Sequence, residues 1–130
     1  MTTSTHINIE QAIELVNRRG TTFEDVCKFV YNDVEAFQNT RELFYLNELK
    51  EQVKLKNPSN NEIKQIAEHL TEEIIEKVKK DVKTFCINYA KNSIDSVLDG
   101  MNEKRFKYKR SAKNLLVLLH SLQELNEKIE

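Results

Sequence analysis

The stretch that decides the fold is SNNEIKQIAEHLTEEIIEKVKKDVKTFCINYAKNSIDSVLDG, residues 59–100. Ser59 and Glu62 form a capping box, the usual start signal of a helix, immediately before an apolar repeat. The repeat advances in steps of three and four residues, the spacing of one helix face: Ile63, Ile66, Leu70, Ile74, Val78, Val82, Phe85, Tyr89, Ile94 and Val97. The sequence therefore predicts a helix of about 40 residues, roughly 60 Å long at 1.5 Å per residue.

Thr71 offers an alternative division of this stretch, because a threonine followed by two glutamates can cap a new helix. The apolar register continues across Thr71, which favours one continuous or mildly bent helix. Gly100 is interpreted as its end. A further helix is predicted from about residue 102 to 128, with apolar residues alternating by four and three, the spacing of a packed helical seam. Residues 59–129 are therefore predicted to form a long antiparallel helical hairpin.

In the first half of the chain, the sequence pattern predicts three more helices. The first runs from about residue 9 to 19, with Asn8 as its N-cap and Gly20 in the left-handed position after its end. The second begins at Thr22, and the third covers 41–56. A break or kink is predicted at 38–40, because Asn39 and Thr40 interrupt the apolar pattern and Arg41 would fall on the apolar stripe of a continuous helix. Residues 1–7 are expected to be flexible. The fold class is thus all-α, a bundle of about five helices in a single domain spanning 1–130.

Composition supports this fold class and restricts the function. Only two glycines and one proline occur in 130 residues, which argues against a turn-rich β protein. The formal net charge is −1. Proteins whose main task is to hold a polyanion are usually basic overall, so a nucleic-acid role would have to be local to one patch.

Two further features indicate the compartment. Cys27 and Cys86 are the only cysteines, and each lies within an apolar helical pattern without a neighbouring cysteine or histidine. This favours two free thiols in a reducing cytosol, with a single disulfide as the alternative. The N-terminal MTTSTH lacks the basic and apolar regions of a signal peptide, and the longest apolar run, residues 115–119, is too short to span a bilayer. We expect a cytoplasmic protein with no membrane partner.

No catalytic or cofactor-binding motif is recognisable. The two glycines lie far apart, so no glycine-rich phosphate loop is present. The histidines are His6, His69 and His120, and none has a glutamate three residues before it, as a di-iron helical bundle requires. We therefore expect no metal, no cofactor and no enzymatic activity.

The segment NEKRFKYKRSAKN, residues 102–114, combines basic and aromatic residues. Projected onto the helix predicted from residue 102, Phe106 lies on an exposed stripe, and Tyr108 lies on the core face. Such a stripe can stack a nucleic-acid base and hold phosphates, or it can receive an acidic partner protein. The candidate binding residues are Arg105, Phe106, Lys109, Arg110 and Lys113.

A structural alternative exists for the same segment. Phe106 can fold back against the end of the preceding helix, near Val97 and Met101, and leave the lysines as ordinary solvated charges. Cations at a helix N-terminus oppose the helix dipole, so this segment departs from the usual design of a helix start. Such departures are where a function is worth seeking.

The run LLVLL, residues 115–119, is apolar in every direction around its helix. A surface helix needs only one apolar stripe, so this turn is either central in the bundle or pressed against another chain. The second interpretation predicts a homodimer with Leu116 and Val117 in the interface. A core helix inside the monomer is the alternative.

Together these observations favour a small, non-enzymatic macromolecular interaction protein. It would be a regulator, adaptor or inhibitor. It would form an oligomer and bind an acidic protein partner through the surfaces of its helices. The alternative is a nucleic-acid-binding protein that uses residues 104–113.

Overall fold

In the computed structural model, residues 6–56 and 59–128 are described, and they form four helices. These are α1 (Ile9–Val16), α2 (Phe23–Lys56), α3 (Asn60–Asn102) and α4 (Lys109–Lys128). No strand occurs in the described residues. The predicted all-α bundle is confirmed, and so is the continuity of the long helix across Thr71.

The helix starts match the capping signals in the sequence. The Asn8 side chain accepts hydrogen bonds from the backbone of the first turn of α1. Thr22 and Asp25 bond reciprocally, since each backbone N–H donates to the other's side chain, at 3.0 and 3.2 Å. The Ser59 hydroxyl accepts from the Glu62 N–H at 3.3 Å. These bonds satisfy backbone groups that a helix N-terminus leaves unpaired.

The predicted break at 38–40 is wrong, because α2 continues through it. The Thr40 hydroxyl donates to the Ala36 carbonyl at 2.9 Å, a local bond that a threonine makes inside a helix. Arg41 does fall on the face that meets α3, but its Nε lies 3.0 Å from the Asp81 carboxylate. A charged residue is tolerated there because α3 supplies its counter-ion.

Helices α2 and α3 form an antiparallel hairpin with a regular register. Tyr89 donates its hydroxyl proton to Asp33 at 2.9 Å. One turn further along α2, the Phe37 and Phe85 rings stack at 4.1 Å between centroids. The next turn brings Arg41 to Asp81. Each step is four residues forward on α2 and four back on α3, so the helices lie side by side over these turns.

Helices α3 and α4 form the predicted hairpin, but the connection differs from the prediction. Gly100 lies inside α3, which ends at Asn102, and α4 begins at Lys109 rather than near residue 102. Lys104 takes a left-handed conformation with φ of 58°, which turns the chain back. Lys91 and Glu127 approach to 4.0 Å, which shows that α4 runs antiparallel to α3.

The N-terminal segment packs against the hairpins. Ile7 is fully buried, and its N–H donates to the Ser93 hydroxyl at 2.6 Å. Of the segment 1–7 that is expected to be flexible, residues 1–5 lie outside the described part of the chain, and the flexibility stays a prediction. Gly20 has a φ of 83°, as predicted for the residue that turns the chain after α1. Ala12 and Val16 of α1 are buried in the same core.

Helix α4 covers only part of the α2–α3 hairpin. Its last turn lies level with Gln38 and Val82, since these residues and Asn126 line one cavity. Beyond that level both helices continue, and Leu46 of α2 and Thr71 of α3 still line one cavity. We call this two-helix projection the arm (residues 41–56 and 60–81). At 1.5 Å per residue, the α2 part of the arm is about 24 Å long.

Candidate interaction surfaces

The basic segment forms a turn and the start of a helix, not a single helix. Residues 103–108 connect α3 to α4, and the Asn17 side chain fixes this connection by bonding to the Arg105 carbonyl at 3.1 Å and the Lys107 N–H at 2.6 Å. The predicted helical projection of 104–113 therefore does not apply before Lys109. This changes which aromatic ring is accessible.

Phe106 is buried rather than exposed. Its side chain is 9% exposed and belongs to the core cluster, against which Met101 also packs. The predicted placement of Phe106 on an exposed stripe is therefore wrong, and the alternative, a ring folded back onto the end of the long helix, is confirmed. The ring contacts the site of Gly100, where a side chain would obstruct it. Phe106 is thus not available to stack on a partner.

Tyr108 takes the exposed position instead. It is 36% exposed, which corrects its predicted place in the core, and the Lys107 amine lies 5.5 Å from its ring centroid. Arg105 is paired with Glu10 and lies 3.7 Å from Glu103. The hydrogen bond to Glu10 raises the pKa of the Arg105 guanidinium. Arg105 therefore fastens the turn to α1.

The remaining candidate binding residues are exposed and lie on the first two turns of α4: Lys109, Arg110 and Lys113. No acidic residue occupies the first turn. With Lys107 and Tyr108 they form a surface that we call the basic patch (residues 107–110 and 113). Arg18 and Arg19 are exposed at the same end of the molecule, directly after the Asn17 contact. The cation-aromatic combination is retained, with Tyr108 in place of Phe106.

The LLVLL turn is mostly internal. Leu115, Leu118 and Leu119 are buried, and Leu116 packs against the core. Val117 is 58% exposed. The monomer thus uses four of the five apolar side chains, and a dimer interface at Leu116 and Val117 stays a prediction with Val117 as its accessible member.

Sequence reasoning missed a groove on the arm. Two cavities, of about 700 Å³ and 380 Å³, lie between α2 and α3 on the side where α4 packs. Both are lined by Gln38, Val78 and Lys79, so they form one continuous depression, which we call the arm groove. Its apolar floor consists of Leu46, Ile74, Ile75, Val78 and Val82. The groove begins where α4 ends, since Asn126 lines its first part.

The arm groove exposes side chains that α4 would cover if it were longer. Leu46 is 45% exposed and Ile75 is 48% exposed. Helix α4 has 20 residues, against 34 in α2 and 43 in α3, so among the four described helices none lies on the longer pair along the arm. The sequence did not reveal the groove, because the predicted break at 38–40 shortened α2 and because packing sets the level at which α4 ends.

A polar network holds the two helices of the arm together. Tyr45 donates its hydroxyl proton to Asp81, and Arg41 Nη2 donates to the Tyr45 oxygen at 3.1 Å. This bond to Tyr45 is the main cause of the raised pKa of Arg41, with Asp81 contributing further. The Arg41 guanidinium also lies 4.6 Å from the Phe44 ring centroid, and Lys77 lies 5.6 Å from the Tyr45 ring. The network joins the two helices whose residues line the groove.

The chemistry of other kinds of site was also considered. Within the described residues, no group of three histidine, cysteine or acidic side chains is placed to hold a metal ion. None of the helices, as far as they are described, combines the length and apolarity needed to cross a membrane. Cys27 and Cys86 are free, as predicted. Burial raises the pKa of the Cys86 thiol to about 11, which keeps it protonated and unreactive.

Comparison with known proteins yielded no relative: no family model, curated protein or solved structure matches this chain. The function is therefore argued from the two surfaces, the arm groove and the basic patch.

Proposed function

We propose that the chain is a non-enzymatic interaction protein that binds a partner protein through the arm groove, as a regulator, adaptor or inhibitor would. One observation carries the proposal: an apolar depression, with Leu46 and Ile75 about half exposed, lies on a braced projection beyond the bundle. Contiguous apolar surface of this kind is typical of a binding site.

Energetics support this choice of surface. Full burial of a leucine or isoleucine side chain contributes about 1.5–3 kcal/mol relative to full exposure. Covering the exposed halves of Leu46 and Ile75 would therefore contribute roughly 1 kcal/mol each. The groove is also preformed, because Arg41, Tyr45 and Asp81 already fix the two helices. A preformed site loses little conformational entropy on binding.

A second candidate function is nucleic-acid binding through the basic patch. The observation that favours it is the exposed Tyr108 ring, with Lys107 beside it and Lys109 and Arg110 following on α4. An exposed ring of this kind can stack on a base, which contributes about 1–3 kcal/mol, while the cations hold phosphates. The formal net charge of −1 weighs against polyanion binding as the main function.

One pull-down experiment separates these candidates. The baits are the wild type, the groove variant Leu46→Glu/Ile75→Glu and the patch variant Lys109→Glu/Arg110→Glu/Lys113→Glu, each used on native lysate with and without nuclease. Leu43→Glu is the matched control, because Leu43 lies on the same helix, is 62% exposed and does not line the groove.

The proposed function predicts that wild type, Leu43→Glu and the patch variant retain the same protein partner after nuclease treatment, while the groove variant loses it. Capture that is abolished by nuclease and by the patch variant alone would establish the nucleic-acid function instead. Equal capture by all four baits would exclude both surfaces.

A further inference from the structure

We infer that the arm groove takes an acidic amphipathic α-helix of about three turns, which enters the groove as a coaxial continuation of α4. The inference rests on the proposed function and specifies the chemistry of the partner.

A helix suits the groove better than an extended segment. The same α2–α3 groove is already filled by a helix, α4, up to the level of Asn126. The walls are themselves helices, whose backbone groups are paired internally, so they offer no ladder of hydrogen-bond partners. An extended chain on the apolar floor would leave its own backbone groups unpaired, which is costly, whereas a helix brings them already bonded.

The described part of the groove indicates the length of helix that it can accept. Among the α3 residues whose side chains are described, the lining runs from Thr71 to Lys83. Twelve residue steps at 1.5 Å each correspond to about 18 Å, the length of a helix of about 12 residues. Such a helix presents apolar residues at positions i, i+3 or i+4, and i+7 along one stripe. That stripe would cover the floor formed by Leu46, Ile75 and Val78.

The charges along the groove select an acidic occupant at one end. The part next to α4 is lined by four lysines and one acidic residue: Lys77, Lys79, Lys80, Lys83 and Glu76. Lys79 lies 3.8 Å from Glu76, but both side chains are more than 70% exposed, so this pair is weak. The far part is lined by Glu42 and Lys79. The excess of positive charge therefore lies at the α4 end.

This asymmetry also sets the direction of the bound helix. Acidic residues are most favourable in the first turn of a helix, where they complement the dipole. An occupant whose N-terminus meets the C-terminal end of α4 places its acidic first turn among the lysines. The two helices then align head to tail. Glu127 near the end of α4 lies 4.0 Å from Lys91, and because both side chains are about half exposed this pair offsets its repulsion of the acidic turn only in small part. The lysines of α3 are therefore the groups that select the acidic turn.

A display selection tests the inference without assuming the partner. A random 16-residue peptide library is selected against the full chain, with the groove variant Leu46→Glu/Ile75→Glu as the negative selection. We expect enriched peptides to show apolar residues at helical spacing and acidic residues before them. One enriched peptide should bind the Lys79→Glu/Lys83→Glu variant at least tenfold more weakly than the wild type in fluorescence anisotropy. Exchanging its acidic residues for lysine should restore binding to that variant.

Three results would overturn the inference. Enriched peptides with alternating apolar residues would indicate an extended occupant, and absence of enrichment over the negative selection would exclude a peptide helix. A wild-type dimer in sedimentation equilibrium that dissociates in Leu46→Glu/Ile75→Glu, but not in Leu43→Glu, would make a second copy the occupant. The proposed function is judged separately by the pull-down, since a groove-dependent protein partner can be retained when the peptide result is negative.

Discussion

The Phe106 ring lies so close to Gly100 that a Cβ on residue 100 would come within 2.8 Å of Phe106 Cε2. A glycine inside a helix normally costs about 1 kcal/mol relative to alanine. Here it lets the turn after α3 fold back and bury an aromatic ring. The local helix propensity opposes this glycine, and the tertiary contact requires it.

Gly100→Ala is expected to lower the free energy of unfolding by up to about 2 kcal/mol, because the new methyl group overpacks the contact with Phe106 at a cost of about 1–3 kcal/mol. The gain in helix propensity, about 1 kcal/mol, offsets part of this cost. Chemical denaturation monitored by circular dichroism measures the change. The double variant Gly100→Ala/Phe106→Leu should lose less stability than the two single variants combined, since the smaller side chain relieves the overlap. A stabilised Gly100→Ala protein would show that helix propensity dominates at this position.

The two aromatic residues of the basic segment should differ sharply in their effect on stability. Phe106→Ala is expected to cost roughly 3–5 kcal/mol, as for other buried phenylalanines. Tyr108→Ala should change stability by less than about 1 kcal/mol, because its ring is partly exposed. Denaturation of both variants in parallel provides the comparison. Equal losses would mean that both rings are buried in solution.

Much of this fold was predictable because local signals and tertiary structure agree over most of the chain. The capping box at Ser59 and the apolar steps after it identify α3, and Asn8 and Thr22 mark the starts of α1 and α2. The break at 38–40 was not predictable in the same way. Arg41 is acceptable inside α2 only because Asp81 faces it from α3, and nothing local in the sequence pairs residues 40 positions apart.

The candidate surfaces were harder to predict for a related reason. The cations Lys109, Arg110 and Lys113 are exposed as predicted, because charged residues near a helix start seldom leave solvent. The predicted positions of Phe106 and Tyr108 were the reverse of those in the structure. The prediction started a helix near residue 102, and no signal in the sequence indicates that Lys104 is left-handed and that the helix begins later. The arm groove depends on where α4 ends relative to α2, which is a property of packing rather than of one segment.

The Asp81 carboxylate is expected to contribute to the stability of the arm. It accepts from both Arg41 and Tyr45, and its side chain is about one-third exposed. Asp81→Ala should lower the free energy of unfolding by roughly 1–3 kcal/mol, the usual range for hydrogen bonds to a charged group. Asp95→Ala on the exposed side of α3 is the matched control and should stay within about 0.5 kcal/mol. Similar effects of the two substitutions would contradict this role.

The Cys86 thiol should make stability depend on alkaline pH. Burial raises its pKa from 9.0 to about 11, so the folded state favours the neutral thiol. The unfolded chain ionises first as the pH rises, which favours unfolding. The contribution of the neutral Cys86 thiol to the free energy of unfolding is therefore complete below about pH 9, and it is lost as the pH rises from 9 to about 11.

Cys86→Ala isolates this effect, because the two proteins are otherwise identical and their difference reports the Cys86 thiol alone. The difference in free energy of unfolding between wild type and Cys86→Ala should be constant from pH 7 to 8.5 and should shift against the wild type above pH 9. A difference that stays constant up to pH 11 would mean that the thiol is accessible to water in the folded state.

The apolar turn of α4 provides the test of self-association. Val117 and Leu125 are both more than half exposed on α4, whereas Leu116 packs against the core. Leu116→Glu would therefore place a charge against the core and confuse assembly with folding, so Val117→Glu is the informative variant.

If a dimer forms through this turn, the wild type sediments at about twice the chain mass of 15.3 kDa. Val117→Glu should then be a folded monomer and Leu125→Glu should remain a dimer, since an interface centred on residues 115–119 leaves the end of α4 outside. A monomeric wild type would instead show that the four inward-facing side chains of LLVLL account for its apolar character.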